Sequence, residues 1–375
     1  MITYKGKKYM KQKEMFTKQE QNNLKKIKQP LLTWYQAKKR ELPWRHKPTL
    51  YKVWVSEIML QQTRVETVKP YFKRFMETLP TIHDLANCPD DKLVKLWEGL
   101  GYYSRVRNLK KAAIEIEKKG IPMKYQELLD LPGIGTYTAG AIASIVYQEP
   151  VPAVDGNVFR VITRILENPC NISEAATKKQ MESLLTPIMP KQNPGDFNQA
   201  LMELGATICL PNGTPLCDDC PLQTLCKSFK HNTTTIYPVK NKKKDRKVEQ
   251  RTILILINKN KIALQQRPNQ GLLAGLFELP NLEGTWRVKD VDNFLNKQNI
   301  STTSIQSVGT AKHIFSHIEW HMQGYMIQVN DGQSDHTFLW VDYKAFQEEY
   351  AIPSAYQYYR DQVIQYFERG ETNET

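Results

Sequence analysis

The stretch Leu131-Pro132-Gly133-Ile134-Gly135-Thr136-Tyr137-Thr138-Ala139-Gly140 constrains the fold more than any other part of the chain. Two glycines bracket one apolar residue, and a helix is expected over about 136–147. Glycine takes backbone angles that other residues resist, and it lets a ligand approach the amides closely. The first amides of a helix have no internal partner and donate to an anion. Pro-Gly-Ile-Gly opening a helix therefore reads as a phosphate clamp. Val154-Asp155-Gly156-Asn157 follows, with Asp155 twenty residues beyond Gly135. One helix and a turn carrying Pro150 and Pro152 fill that interval, so the helix can return the aspartate towards the clamp. A phosphate grip beside a carboxylate suggests chemistry on a nucleic acid. The same letters alone also describe a helix start in a tight turn and an N-capping aspartate.

Charge favours a polyanionic partner. Lys plus Arg is 52 against 39 Asp plus Glu, a net +13 over 375 residues, and such an excess suits DNA or RNA. The length is more than one domain usually holds. No apolar run reaches the ~20 residues of a membrane span, so no membrane partner is expected. The Lys-rich N-terminus has no apolar stretch behind it and does not read as a signal peptide. A cytoplasmic, reducing setting is expected, nucleoid-associated if the source is bacterial. Structural disulfides among the six cysteines are then not expected.

Residues 1–29 read as a polar start that becomes helical near Gln21. Leu42-Pro43-Trp44-Arg45 breaks the first helical pattern. In Tyr51–Thr63 the helical neighbours of Glu57 are Val53, Trp54, Leu60 and Gln61, three of them apolar. A carboxylate on that face loses solvation and its pKa rises, which suits a general acid near neutral pH. A buried Glu paired with an Arg fits the same letters. Gln61 and Gln62 offer amides for base edges, or form an ordinary polar helix end. Leu96–Arg105 places two tyrosines and an arginine after two glycines. Aromatic rings beside basic residues can wedge against bases, although a helix stop with core aromatics reads the same way. An amphipathic helix is expected over Phe197–Ile208, running into Cys209. Cys209, Cys217, Cys220 and Cys226 then fall within eighteen residues, separated by seven, two and five. Four thiolates suit tetrahedral zinc or a cubane iron–sulfur cluster. The single Cys-x-x-Cys knuckle and uneven spacing favour the cluster.

Residues 231–250 read as a basic linker. Beyond it Thr252–Ile257 and Ile262–Arg267 look like a strand pair around Asn258–Lys261. Gly271–Pro280 reads as a loop into a strand, strands are expected near 322–329 and 337–341, and a helix near 355–368. His313, His317 and His321 fall at steps of four; a loop presenting Phe315, Ser316 and His317 to a ligand is favoured over a metal site.

Taken together, Leu42–Arg45, Ser56–Thr63, Gly99–Arg105, Leu131–Ala139, Val154–Asn157, the four cysteines and Phe315–His317 resemble the helix-hairpin-helix DNA glycosylases. Within them the chain resembles adenine DNA glycosylases of the MutY type over nearly its whole length. The implied fold is mainly α: an all-helical helix-hairpin-helix glycosylase domain over 1–230, with the hairpin at about 128–145 and an iron–sulfur loop at 209–226. The linker 231–250 and a C-terminal α+β Nudix-like lesion-recognition domain over 251–375 complete it. The resemblance implies one 4Fe-4S cluster on the four cysteines, although the family usually has six residues between the first two and this chain has seven. It implies a monomer acting on duplex DNA with adenine opposite 8-oxoguanine. Glu57 and Asp155 would be catalytic, with Tyr137 and Asn157 orienting groups around the sugar. Trp44, Arg45 and Leu60 would line the adenine pocket. Tyr102 would wedge into the duplex beside Gln62 and Gln61, the amides near Gly133 and Gly135 would hold a phosphate, and Phe315, Ser316 and His317 would read the opposite base.

Endonuclease III-like relatives carry a nucleophilic lysine where this chain has Tyr137. A phenol cannot form the Schiff base an amine forms, so a glycosylase without efficient strand cleavage is expected. The acidic core of a working Nudix box is missing after Leu276–Pro280, which implies a recognition module with no strong magnesium site. The competing readings are an endonuclease III-like lyase acting on oxidised pyrimidines, a lesion-binding protein without catalysis, and an active Nudix hydrolase fused to a DNA-binding domain.

Overall fold

The computed structural model describes residues 15–241, 245–330 and 338–371. The first half of the expected polar start, residues 242–244 of the expected linker and residue 337 of an expected strand lie outside the described residues. The chain divides into two compact units, residues 1–62 with 115–242 and residues 63–114 with 243–375. This division differs from the boundary expected at 230–251: helices from the first half of the chain group with the C-terminal sheet.

The first unit is helical. It holds α1 (Lys18–Lys25), α2 (Lys28–Lys38), α3 (Leu50–Leu60), α8 (Tyr125–Leu129), α9 (Thr136–Val146), α10 (Gly156–Leu166), α11 (Ala175–Leu185), α12 (Pro194–Thr207) and α13 (Lys227–Lys230). Local chemistry sets the starts. Thr17 and Glu20 form a capping box on α1, Thr49 caps α3, and Asp155 caps α10, each satisfying amides that a helix leaves unpaired. The start of α12 at Pro194 lies three residues ahead of the expected Phe197, because proline suits the first helical turn. Leu24, Ile27 and Leu31 pack with Val158, Ile162 and Ile165 of α10, Met181 of α11 and Phe197, Leu201 and Leu204 of α12. The expected pause at Leu42–Arg45 is a single 3-10 turn over Pro43–Arg45.

The second unit joins α4 (Val65–Thr78), α5 (Ile82–Asn87), α6 (Asp90–Leu96) and the first part of α7 (Ser104–Lys119) to a seven-stranded sheet. The strands are β1 (Lys247–Asn258), β2 (Lys261–Gln266), β3 (Phe277–Glu278), β4 (Asn281–Glu283), β5 (Thr302–Ile314), β6 (Ile318–Val329) and β7 (Leu339–Asp342). The main path runs β3-β2-β1-β6-β5, with β4 paired to β1 and β7 to β2. β1 and β6 are parallel, with Ile253 opposite Gly324, whereas β5 and β6 form a long antiparallel hairpin. The apolar run of β1 is buried on both faces, as strands between two helical layers are. Ile253, Ile255 and Ile257 face Tyr356, Tyr359 and Val363 of the C-terminal segment, where α16 (Gln357–Glu371) follows α15 (Tyr343–Glu348). Leu254 and Leu256 face Val291 and Leu295 of α14 (Val288–Lys297).

The structure departs from the expected elements of this domain at one boundary, and it adds one strand and one helix. β1 begins at Lys247, inside the stretch expected as linker. β5 and α14 were not foreseen at all. His313 lies next to the last residue of β5, opposite Trp320, whereas His321 on β6 lies opposite Lys312, so the three histidines share neither a helix nor one strand. The favoured loop at Phe315–His317 is the tight turn between the two strands, closed by the Phe315 amide on the Ile318 carbonyl at 2.8 Å.

Candidate active site

Glu57 sits on α3, a helix buried along most of its length, and is only 7% exposed. Burial raises its pKa to about 7; the Tyr137 hydroxyl opposes the shift, the Asp155 charge adds to it, and Arg45 opposes it last and least. Tyr137 stands in the first turn of α9 and donates its hydroxyl to Glu57 Oε2 at 2.5 Å. Its pKa is held well above the ordinary phenol value, first by burial and then by the two carboxylates. Met202 Sδ of α12 lies 3.6 Å from the same hydroxyl.

The Arg-paired alternative for Glu57 does not hold. Arg45 donates Nη2 to Glu203 Oε2 at 2.8 Å, Nε to Gln199 at 3.1 Å and Nη1 to the Arg40 carbonyl at 3.0 Å. Arg40 grips the same Glu203 through Nε at 2.6 Å and Nη2 at 3.1 Å. Burial opposes ionisation of Glu203, but the two guanidiniums outweigh it and hold its carboxyl below the usual range. Arg45 thus ties the buried Trp44 turn to α12.

Asp155 is both the N-cap and the second carboxylate of the site. Its Oδ1 accepts from the Val158 amide at 2.8 Å and its Oδ2 from Asn157 Nδ2 at 2.7 Å. Burial raises its pKa, while those hydrogen bonds and Arg160 favour the ionised form, as does the positive end of α10. Arg160 was not singled out from the sequence. Its Nη2 donates to Asn157 Oδ1 at 2.8 Å and the Gly205 carbonyl at 2.7 Å, and its Nε to the Cys209 carbonyl at 2.7 Å. A charged residue at the buried heart of an apolar helix was the available signal. Gly205 permits this crossing of α10 and α12: a Cβ there would lie 2.5 Å from the Asn157 Cβ.

The hairpin joins α8 to α9. Gly133 has φ +78°, Ile134 is buried, and Gly133 and Gly135 are exposed. Gly135 is the N-cap of α9 with no side-chain cap, and a Cβ there would meet nothing within 4 Å. The first amides of α9 are therefore open to an anion. Leu60 and Gln61 are partly buried at the end of α3, and the exposed Gln62 follows with φ +59°.

The four cysteines line one apolar cavity with Val161, Leu204, Ile208 and Leu222. Arg164 Nη1 donates to Cys209 Sγ at 3.2 Å. No group of three or more His, Cys, Asp or Glu among the described residues is placed to hold a single metal ion. Four thiols on one apolar cavity are a donor set that fits either metal group the sequence suggests.

In the second unit Tyr102 is 47% exposed with φ +48°, and its hydroxyl lies 2.9 Å from Ser316 Oγ. Phe315 packs edge-on against His313 and Trp320, at 4.6 and 4.9 Å between ring centres. Ser316 and His317 stand exposed at the hairpin tip.

Residues 55–187 match the HhH-GPD superfamily of base excision DNA repair proteins, and residues 252–362 match a NUDIX domain. The chain is 38% identical over 309 residues to the adenine DNA glycosylase of Buchnera aphidicola, covering 80% of this chain and 86% of that protein. The chain belongs to the adenine DNA glycosylase family. It is accordingly a DNA glycosylase, a hydrolase of N-glycosyl bonds. It is 35% identical to the Arabidopsis thaliana adenine DNA glycosylase, spanning 59% of that relative's length and aligning over 84% of its own. A solved thermostable thymine-DNA glycosylase superposes on 57% of this chain with a TM-score of 0.50 at 27% identity, covering 98% of that structure. A carboxyl whose pKa is raised to about 7 by burial, beside an aspartate that caps a helix, is an arrangement able to divide acid and anion roles.

Proposed function

We propose that this chain excises adenine mispaired with 8-oxoguanine from duplex DNA, by hydrolysis and without cutting the strand. The observation that carries the reading is the pair of unlike carboxylates. Burial pushes the Glu57 pKa up to about 7; Asp155 is half-buried and accepts one hydrogen bond on each carboxylate oxygen, contacts that favour its ionised form. Flipping the adenine out of the stack costs a few kcal/mol. Tyr102 wedges into the gap, Gln62 with Gln61 fills beside it, and the α9 amides near Gly133 and Gly135 hold a backbone phosphate. Trp44, Arg45 and Leu60 form the side of the base pocket, Arg45 by fixing the Trp44 turn.

Protonated Glu57 donates to N7 of the adenine, which leaves with the bonding electron pair. The sugar becomes oxocarbenium-like, and ionised Asp155 stabilises the cation or traps it covalently before water attacks. These are the two carboxylate roles of retaining glycosidases. Asn157 and Arg160 orient Asp155, and Tyr137 orients Glu57. Tyr137 offers no amine for a Schiff base, which supports a monofunctional enzyme.

Cys209, Cys217, Cys220 and Cys226 hold one 4Fe-4S cluster in this reading, in the reducing cytoplasm. When bound, the cluster supplies structural cross-linking of the 209–226 loop. Phe315, Ser316 and His317 read the base opposite adenine, with Ser316 addressing the altered edge of 8-oxoguanine.

The test is single-turnover release from duplexes carrying adenine opposite 8-oxoguanine, guanine or thymine, with and without alkali. Fast release opposite 8-oxoguanine, with strand breaks only after alkali, is expected. Cutting at oxidised pyrimidines without alkali, with an enzyme–DNA adduct trapped by borohydride, would assign lyase chemistry instead. Purified protein should contain iron and acid-labile sulfide, and Cys220→Ser should lower both.

A further inference from the structure

The turn between α6 and α7, Trp97-Glu98-Gly99-Leu100-Gly101-Tyr102, is bonded at both ends into the C-terminal part of its unit. At its base the Glu98 side chain is 15% exposed. Glu98 Oε1 accepts from the Ile352 amide at 2.8 Å and from Arg360 Nη1 at 3.0 Å. Its Oε2 accepts from Lys95 Nζ at 2.8 Å, and Lys95 also reaches the Tyr350 carbonyl at 2.9 Å. The Glu98 carbonyl accepts from the Tyr71 hydroxyl at 2.8 Å. One carboxylate therefore gathers α6, the chain before α16, and α16 itself. At the tip, Tyr102 meets Ser316.

Between the two ends the turn is stiff. Trp97 Nε1 donates to the Gly101 carbonyl at 3.2 Å, and Arg105 Nη2 donates to the Leu100 and Gly101 carbonyls at 3.0 Å each. Gly99, Gly101 and Tyr102 all have positive φ, at +95°, +67° and +48°. A left-handed tyrosine persists only where its surroundings over-determine it. The Glu98 anchor is part of that determination. Without it the partly buried charges of Lys95 and Arg360 lose this counter-ion, and the Arg360 tie from α16 to the turn is broken.

We infer that Glu98 is a positioning residue that locks the Tyr102 wedge to the lesion-reading hairpin, and so sets the preference for adenine opposite 8-oxoguanine over adenine opposite guanine. The inference rests on the proposed function. Guanine lacks the altered edge that Ser316 addresses, so release opposite guanine gains least from holding Tyr102 and Ser316 in register. Glu57 and Asp155, which belong to the other compact unit, serve both substrates alike.

The experiment uses the full chain and measures single-turnover adenine release at saturating enzyme on both duplexes, with a melting curve for each protein. Glu98→Gln keeps the shape of the side chain and removes its charge. Its ratio of the two rates should fall about tenfold, on the scale of a charge-assisted hydrogen bond lost. Its rate opposite guanine should stay within about twofold of wild type. Ser316→Ala should also lower the ratio. The double variant should be no worse than the worse single, because coupled residues are not additive. An unchanged ratio in Glu98→Gln, equal falls on both duplexes, or multiplying losses in the double variant would overturn the inference. Should Glu98→Gln fail to fold, Arg360→Lys carries the same readout: it keeps the charge and loses the guanidinium fork, so its ratio should fall several-fold, and an unchanged ratio would overturn the inference equally. A wild-type protein with no preference between the duplexes would remove both the lesion reading and this inference. A wild-type preference kept by every variant would remove this inference alone.

Discussion

The proposed chemistry turns on single residues. Glu57 is protonated in the folded protein up to about pH 7, well above the 4.5 of a solvated carboxyl. A folded-state pKa that is raised contributes stability at low pH and loses it as pH rises through the folded value. At pH 8 ionised Glu57 therefore destabilises the fold by about 3 kcal/mol at most. Glu57→Gln should abolish adenine release yet melt higher than wild type at pH 8, with a smaller gap at pH 5. Equal gaps at both pH values would show that Glu57 is not held neutral. The Tyr137 hydroxyl donates to Glu57 and favours its charged form, so Tyr137→Phe should raise the Glu57 pKa further. The alkaline limb of the single-turnover rate should then move to higher pH; a move to lower pH would contradict the assigned hydrogen bond.

Helices act at the next scale by where they cross and where they begin. α10 begins on Asp155 and crosses α12 at Gly205, whose missing side chain lets Asn157 and Arg160 sit between Asp155 and the cysteine loop. Gly205→Ala puts a Cβ where Asn157 already is, an overpacking that typically costs about 1–3 kcal/mol. The expected outcome is a lower melting temperature together with slowed adenine release, the second because Asp155 loses its orientation. A variant that melts lower but releases adenine at the wild-type rate would separate Asn157 from the catalytic geometry. The elements not foreseen are those with weak patterns. β5 is half-exposed along its length and reads Thr-Thr-Ser-Ile-Gln-Ser-Val-Gly, too polar for a strand signal. α14 buries only Val291 and Leu295.

At the scale of the whole molecule, the excess of 52 basic over 39 acidic residues should dominate affinity for undamaged duplex through release of counter-ions. Raising salt from 50 to 200 mM should weaken duplex binding by about a hundredfold or more, read by fluorescence anisotropy. A flat response would mean that the positive charge does not meet phosphate. The proposed lesion preference, in contrast, should persist at the higher salt, because hydrogen bonds to a base edge, on which it would rest, are not released with counter-ions.

The family, the two kinds of domain, the glycine hairpin that opens α9 and the dryness of Glu57 were legible before any folding was known, because each is written in local spacing. Val53 and Trp54 fall one turn from Glu57, and two glycines open α9. The partners came from packing. It gave Glu57 a tyrosine in place of an arginine, turned Arg45 onto Glu203, and threaded Arg160 from Asn157 to Cys209. It also bound Glu98 to residues more than 250 positions away. Those contacts depend on which helices cross and at what distance, and no local pattern records that. Periodicity reports which face of an element is buried; packing decides what that face meets.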